Sequence, residues 1–372
     1  MLNRRTLLKL LGGTAASRLP LFAAAASAPA SAVSMRISRY EAIPVSIPWA
    51  ERVREASVTN WRRENMDVPS NRFTLVRLHT DEGLTGAGIG GSEATLKRMV
   101  GHSPWEYVLD DSIGGGLMAV YDILGQATGR PICGLLAASP RKRIVPAWWS
   151  LSYPPEMIAA EARLGYSQGY RVHKVKARPW EDPVAQAAAI CAAVPGDYRV
   201  WADANFFWGS VGRTLYFARE LAKHPNYFGL ESPINRGYLE GYRQLKGQCP
   251  LQMSEHLGII DTMTAIREGL LDAFILAGPI GRAMFDSNAM ASFYGKQLWI
   301  ENSCWTGLGQ VFQAHLAAAY PAIAYSICCA HISEDDLIRE PFTVADGFYS
   351  LPQKPGMGVS VDEAALDKYR VA

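Results

Sequence analysis

The stretch RVHKVKA, residues 171–177, decides the fold, because it reads as a short strand that aims two ammonium groups at one place. Successive side chains of an extended chain point to opposite faces, so Lys174 and Lys176 share one face and His173 and Val175 the other. From about Arg141 onward, short runs rich in Val, Ile, Phe, Tyr and Trp alternate with longer runs of helical spacing. RIVPAWWSL, RVHKVKA, YRVWADA, YFGLES, PLQMSEH, LDAFILA, QLWIENS and AIAYSI read as eight strands. Stretches 155–168, 181–194, 210–223, 283–294 and 306–319 carry Ala, Leu, Arg and Glu at helical spacing. Within 141–335 this beat predicts an α/β fold, a (β/α) TIM-like barrel. A doubly wound open sheet is the competing fold, but no GxGxxG or Walker glycine loop follows the first strand.

Residues 35–140 follow another rule. MRISRYEAIPVSIP and RFTLVRLHTDEGLTGAGIG alternate like antiparallel strands, with Glu82 and Gly83 forming a turn inside the second run. The helical stretch GGGLMAVYDILGQATG comes next, and the whole reads as an N-terminal α+β domain, interrupted by a loop around 49–70 rich in Arg and Trp. The segment 336–372 is turn-rich and lies too far past the eighth strand to belong to the barrel; it is expected to return to the first domain. Residues 1–34 differ from the rest, with a basic start, an Ala/Leu-rich middle and small residues before Val33. They resemble a twin-arginine export signal, with Arg4 and Arg5 as the pair and cleavage near Ala30–Ala32 or Ala26–Ala28, which predicts a periplasmic or secreted protein. A frayed apolar arm is the plainer alternative.

Composition excludes several roles. Hydrophobic residues at 49% and charged residues at 19% of 372 are those of a globular protein with a large core. Lys plus Arg (37) nearly balances Asp plus Glu (35), and the densest basic run is Arg141, Lys142 and Arg143, so nucleic acid and membrane surfaces are not expected partners. Past residue 34 no stretch reaches the roughly 18 uninterrupted apolar residues of a membrane span. Six cysteines (Cys133, Cys191, Cys249, Cys304, Cys328, Cys329) form no CxxC pair and no metal-type spacing with His, so they read as buried thiols, with one or two bridges left open for an exported chain.

Chemistry in such a barrel sits at the C-terminal strand ends. Strand two ends with Lys174 and Lys176, strand three with Asp203 and Asn205, strand four with Glu231 and strand five with Glu255. Three acids on consecutive strand ends, 28 and 24 residues apart, suit a hard dication: Mg2+ takes oxygen ligands and keeps positions for water or substrate. Zinc is less suited, since neither Cys nor a second His joins the set.

At this point the chain resembles the enolase superfamily, of the mandelate racemase and muconate-lactonizing enzyme type. The resemblance rests on LVRLHTDEGLTGAG and AVYDILGQATGRPICGLL in the first domain, HKVKA, WADAN, GLESPI and LQMSEHLG in the barrel, and KPGMGVSVDEAAL near the end, in that order. It implies an α+β capping domain over a (β/α)7β barrel, and a Mg2+ ion that binds a substrate carboxylate and stabilises the enediolate left by loss of the α-proton. Carried over by position, Asp203, Glu231 and Glu255 match the metal ligands, Asn205 a polar neighbour of substrate or ligand shell, Lys176 the base, and Lys174 the lysine that neutralises the bound carboxylate. His256 is either a general acid for a leaving hydroxyl or a cap of the following loop. Glu301 and Asn302, ending strand seven, and Arg62 with Arg63 in the capping loop, are candidate substrate contacts. His331 after strand eight is a weaker one, and Trp148 and Trp149 read as packing.

Departures from the family pattern matter too. Strand six, DAFILAGPIGRAM, carries no Lys, and its Asp272 stands at the wrong end; strand seven, WIENSCWTGLG, carries no His; and the acid that some relatives place after strand eight is replaced by the apolar SICCA. One-face chemistry is therefore expected. The leading expectation is a Mg2+-dependent lyase that dehydrates an acid sugar. A racemase, epimerase or lactone cycloisomerase, and a non-catalytic exported homologue that binds carboxylates, stand as alternatives. Release of a keto product singles out the first, and the third gives no α-hydrogen exchange. The expected partner is a small-molecule carboxylate, and the resemblance implies a homo-oligomer.

Overall fold

The computed structural model describes residues 34–54, 70–278, 280–301 and 305–371. Strands β1 (Ile37–Pro48), β2 (Ser70–Thr80) and β3 (Thr85–Ile89) form an antiparallel sheet in that order. The β2–β3 turn closes on Gly83 at φ +80°, where a side chain would be strained. Helix α1 (Glu93–Met99) starts on the Ser92 hydroxyl, which accepts from Thr95 N at 3.2 Å. Helix α2 (Gly116–Thr128) lies on the sheet because β3 is bare where they meet: a Cβ on Gly88 would stand 2.7 Å from Gly115 O. Between α1 and α2 the chain makes only two 3-10 turns, and α3 (Ile132–Leu136) follows α2.

After the short β4 (Arg143–Ile144), eight parallel strands close into a barrel, joined by seven helices among the described residues. The strands are β5 (Pro146–Ser150), β6 (Val172–Lys176), β7 (Arg199–Asp203), β8 (Tyr227–Glu231), β9 (Gln252–His256), β10 (Ala273–Leu276), β11 (Gln297–Ile300) and β12 (Ile323–Cys328). The helices are α4 (Pro155–Ser167), α5 (Pro183–Ala193), α6 (Val211–Leu221), α7 (Leu239–Leu245), α8 (Thr262–Arg267), α9 (Arg282–Phe293) and α10 (Gly307–Ala319). This is the (β/α)7β barrel with a small α+β cap that the sequence predicts.

Local chemistry sets the helix starts. Asp182 accepts from the N–H groups of Val184 and Ala185 with Pro183 in the first turn of α5, Ser210 caps α6 and Thr306 caps α10. Helix α10 is buried along its whole length, because it packs against β12 of the barrel on one side and α3 and β3 of the cap on another; its Gly and Ala residues allow that approach.

An aromatic plug fills the barrel below its mouth. Trp201 and Trp299 have ring centroids 4.5 Å apart, with Tyr325 and Phe228 5.6 and 5.9 Å from Trp201. Gly229 makes room, since a Cβ there would lie 3.4 Å from the Trp299 ring. The strand-end charges therefore stand on an apolar floor.

Past the barrel, β13 (Val344–Ala345), β14 (Phe348–Ser350) and α11 (Glu363–Tyr369) complete the described chain. Leu366 and Tyr369 pack with Ile43, Val45 and Leu75 of the cap sheet, and Met357 N donates to Asp122 of α2 at 2.8 Å. Cys133, Cys191 and Cys249 are free thiols, and Cys328 and Cys329 are buried at the end of β12. No described helix is long and apolar enough to cross a membrane.

Candidate active site

Strand register builds the site. Lys176 of β6 pairs with Asp203 of β7, and Asp203 with Glu231 of β8, so three charged side chains reach the same level of the barrel wall. Lys174 lies one inward step deeper, beside Trp149 and Trp201.

The two lysines have unequal settings. Lys174 is fully buried and its ammonium meets Glu231 at 2.8 Å, Glu301 at 2.7 Å and Asp203 at 3.3 Å. Two of its three N–H donors go to Glu231 and Glu301, and Asp203 is an ion-pair partner. Burial pulls the Lys174 pKa down, but Glu231, Glu301 and Asp203 outweigh it and hold the group well above the ordinary lysine value. The Lys176 side chain is 14% exposed; its ammonium pairs with Asp203 and donates to Asn205 Oδ1 at 2.8 Å. The Trp149 ring flanks it at 5.8 Å, and Trp305 and Trp49 continue that row toward the cap.

The carboxylates answer these cations. Burial pushes Asp203 up, but the charges of Lys176, Lys174 and Arg178 outweigh it and hold the group well below the usual range. Glu301, at the end of β11, is likewise lowered against its burial by Lys174, Lys176 and His256. Glu231 Oε2 accepts from the Trp201 indole at 3.1 Å, which ties it to the aromatic floor.

Strand β9 departs from the sequence reading. Glu231 pairs with Ser254, so alternation turns Ser254 and His256 to the inner face and Glu255 to the other side of the strand. There the Glu255 carboxylate accepts from Ser232 Oγ at 2.7 Å, Tyr242 OH of α7 at 2.8 Å and His256 N at 2.7 Å, with Arg236 Nε at 3.7 Å. His256 Nε2 stands 3.5 Å from both Glu231 Oε1 and Glu301 Oε1, beyond the usual hydrogen-bond range. Among the described residues, the donor atoms of Glu231, His256 and Glu301 lie within 4.8 Å of one another and form the cluster able to hold a cation.

The expected trio of Asp203, Glu231 and Glu255 is thus buried at neighbouring strand ends, but Glu255 approaches from the rim beside α7. The oxygen-rich donor set fits a hard dication such as Mg2+. Lys174, expected to steady a bound carboxylate, hydrogen-bonds Glu231 and Glu301 and pairs with Asp203.

Other expected contacts fall elsewhere. Arg62 and Asn302 lie outside the described residues, as do residues 1–33. His331 stands away from the strand-end charges: its ring stacks on Trp148 with centroids 3.5 Å apart, and its Nε2 bonds Trp149 O at 3.0 Å. Two functional candidates were not singled out by the sequence reading, Arg178 and Tyr242. Arg178 lies two residues past Lys176, which is the signal that marks it; nothing in the sequence marks Tyr242.

A family model described as Enolase C-terminal domain-like matches residues 157–365. The chain is 24% identical over 274 residues to an arabinonate dehydratase of Saccharolobus solfataricus, covering 69% of this chain and 72% of that one. It is 25% identical over 260 residues to muconate cycloisomerase 1 of Rhodococcus opacus, covering 67% and 69%. A solved structure of N-succinyl Arg/Lys racemase from Bacillus cereus superposes with a TM-score of 0.73 at 19% identity, covering 91% of this chain and 98% of that one.

Proposed function

We propose, for a chain that belongs to the enolase superfamily and to its mandelate racemase and muconate-lactonizing type, that the protein removes the proton α to a carboxylate and expels a β-hydroxyl, as an acid-sugar dehydratase does. The unequal setting of the two lysines carries this reading. Lys176 reaches toward the mouth between Asp203 and Asn205, where a base must stand, whereas Lys174 is fully buried among the carboxylates of Glu231, Glu301 and Asp203. The resemblance to an arabinonate dehydratase supports the same reaction class.

In this scheme the neutral Lys176 amine takes the α-proton, and the C–H electron pair moves toward the carboxylate. The bond from the β-carbon to its hydroxyl then breaks, and protonated His256 gives its proton to the departing oxygen, which leaves as water. The resulting enol becomes a 2-keto-3-deoxy acid. Glu301, which accepts from Lys174, has its other carboxylate oxygen 3.5 Å from the imidazole. Strands β7 and β8 separate β6 from β9 in the closed barrel, so acid and base approach from different sides. Asp203, Glu231 and Glu255 would hold a Mg2+, and an ion held there would supply positive charge to offset that of the enediolate.

The same separation of His256 from Lys176 favours a second reading, epimerisation, in which His256 returns a proton to the other face of the α-carbon. Incubation with arabinonate, gluconate and other acid sugars plus Mg2+ in D2O separates the two. A keto acid indicates dehydration, α-deuterium in recovered acid without keto acid indicates epimerisation, and neither outcome with any acid removes both.

A further inference from the structure

Arg178 follows Lys176 by two residues in the turn that leaves β6, and it is 2% exposed. Its backbone N–H donates to Ser152 Oγ at 3.1 Å, which starts its side chain back over the strand ends. There Nη1 donates to Asp203 O at 3.0 Å and Nη2 to Asn205 Oδ1 at 2.7 Å, while the guanidinium lies 5.0 Å from the Phe207 ring centre. Lys176 Nζ donates to the same Asn205 oxygen at 2.8 Å.

Neither an ammonium nor a guanidinium offers an acceptor. The side-chain atom of Asn205 that both meet must therefore be its oxygen, and the amide NH2 is the end turned away from them. The backbone holds this arrangement. Asp203 Oδ1 accepts from Asn205 N at 2.9 Å, and Asn205 and Phe206 both have positive φ, 42° and 63°, a region asparagine tolerates better than most residues. Phe206 N then donates to Ser232 O at 2.6 Å, closing the turn onto the end of β8.

We propose that Arg178 is a positioning residue: it locks the Asn205 amide so that the oxygen steadies Lys176 and the NH2 is presented as a donor to a substrate oxygen. The group that meets Asn205 is then an acceptor, a carboxylate or hydroxyl oxygen of the acid. The substrate rests on the reaction proposed above; the orientation of Asn205 does not.

Two measurements test this on the full-length protein. The first needs no turnover: with 15N-asparagine labelling, the side-chain NH2 signals of Asn205, assigned by their loss in Asn205→Asp, are compared in wild type and Arg178→Met. A single sharp pair in wild type that broadens or doubles in Arg178→Met is expected, and an unchanged pair overturns the proposal. Should Arg178→Met fail to fold, Arg178→Lys, which keeps the charge but loses the fork, serves in its place with the same two outcomes. The second is a double-mutant cycle on α-hydrogen exchange of arabinonate or gluconate with Mg2+ in D2O. Arg178→Met is expected to lower kcat about 10²-fold, the cost of a misplaced reacting group, and to add almost nothing in an Asn205→Leu background. Fully additive losses overturn it. If wild type exchanges none of these acids, the proposed reaction fails and the NMR comparison alone decides on Arg178.

Discussion

The Lys174 ammonium lies 2.8 Å from the Glu231 carboxylate, with both side chains wholly withdrawn from solvent on an aromatic floor. This pair divides the labour at the strand ends, because a lysine committed to Glu231, Glu301 and Asp203 leaves the mouth to Lys176.

Removing the fully buried ammonium should therefore cost more stability than removing the partly buried one. Lys174→Met leaves Glu231 and Glu301 without their cation, and breaking a buried pair in this way costs about 3–5 kcal/mol. Lys176→Met costs less, since Asp203 keeps Lys174 at 3.3 Å. Urea unfolding of both variants checks this, and equal losses would contradict the division.

Acid should weaken the fold through buried histidines that do not face the site. Burial lowers His173 to about 3 and His315 to about 4. His315 bridges α10 to Cys133 N and Met357 O, and the N–H at Cys133 faces the ring nitrogen that a second proton would need. Between those values and the ordinary 6.5 the unfolded chain binds protons that the native chain does not, so stability falls as pH drops below about 6.5. Each histidine withdraws about 2 kcal/mol by pH 5. The lowered Asp203 and Glu301 act in the same direction at lower pH, their contribution being lost as pH falls below the ordinary carboxylate range. Unfolding followed from pH 7 to 5 should show a shallower slope for His315→Gln; an identical slope would exclude this origin.

Metal affinity should distinguish the two candidate ligand sets. If Glu255 completes the set with Asp203 and Glu231, Tyr242→Phe, which removes the hydroxyl that orients it, weakens Mg2+ binding about 10–100-fold by calorimetry, and Glu255→Gln weakens it further. Glu301→Gln should then leave the affinity nearly unchanged. The reverse ranking would assign the ion to Glu231, His256 and Glu301.

His256 should matter for elimination and not for proton removal. His256→Gln is expected to slow keto-acid formation about 10²–10⁴-fold, the usual worth of a general acid, while α-hydrogen exchange persists. Parallel loss of both would place His256 in the base or metal machinery.

Much of this was legible in the sequence. Two-residue alternation puts Lys174 and Lys176 on one face, and the βα beat places Asp203, Glu231 and Glu255 at successive strand ends. What the sequence does not carry is contact across the barrel or beyond the strand. Glu301 ends a strand five later in the chain than that of Lys174 but only three steps away around the closed barrel, a closeness set by barrel closure and by no periodicity. Glu255 turns toward Tyr242 because strand pairing, invisible in one strand, fixes Ser254 against Glu231. His331 follows strand eight directly, yet a 3-10 turn at Ala330–Ile332 carries its ring onto Trp148.

The central claim is that Lys176 removes the α-proton. It is tested most directly by incubating wild type and Lys176→Met with Mg2+ and acid-sugar carboxylates in D2O and reading α-hydrogen loss and keto-acid formation by NMR, with Mg2+ and carboxylate affinity measured alongside. The account predicts turnover by wild type and, in Lys176→Met, retained binding with no exchange and no product. Exchange at the wild-type rate in Lys176→Met would contradict it.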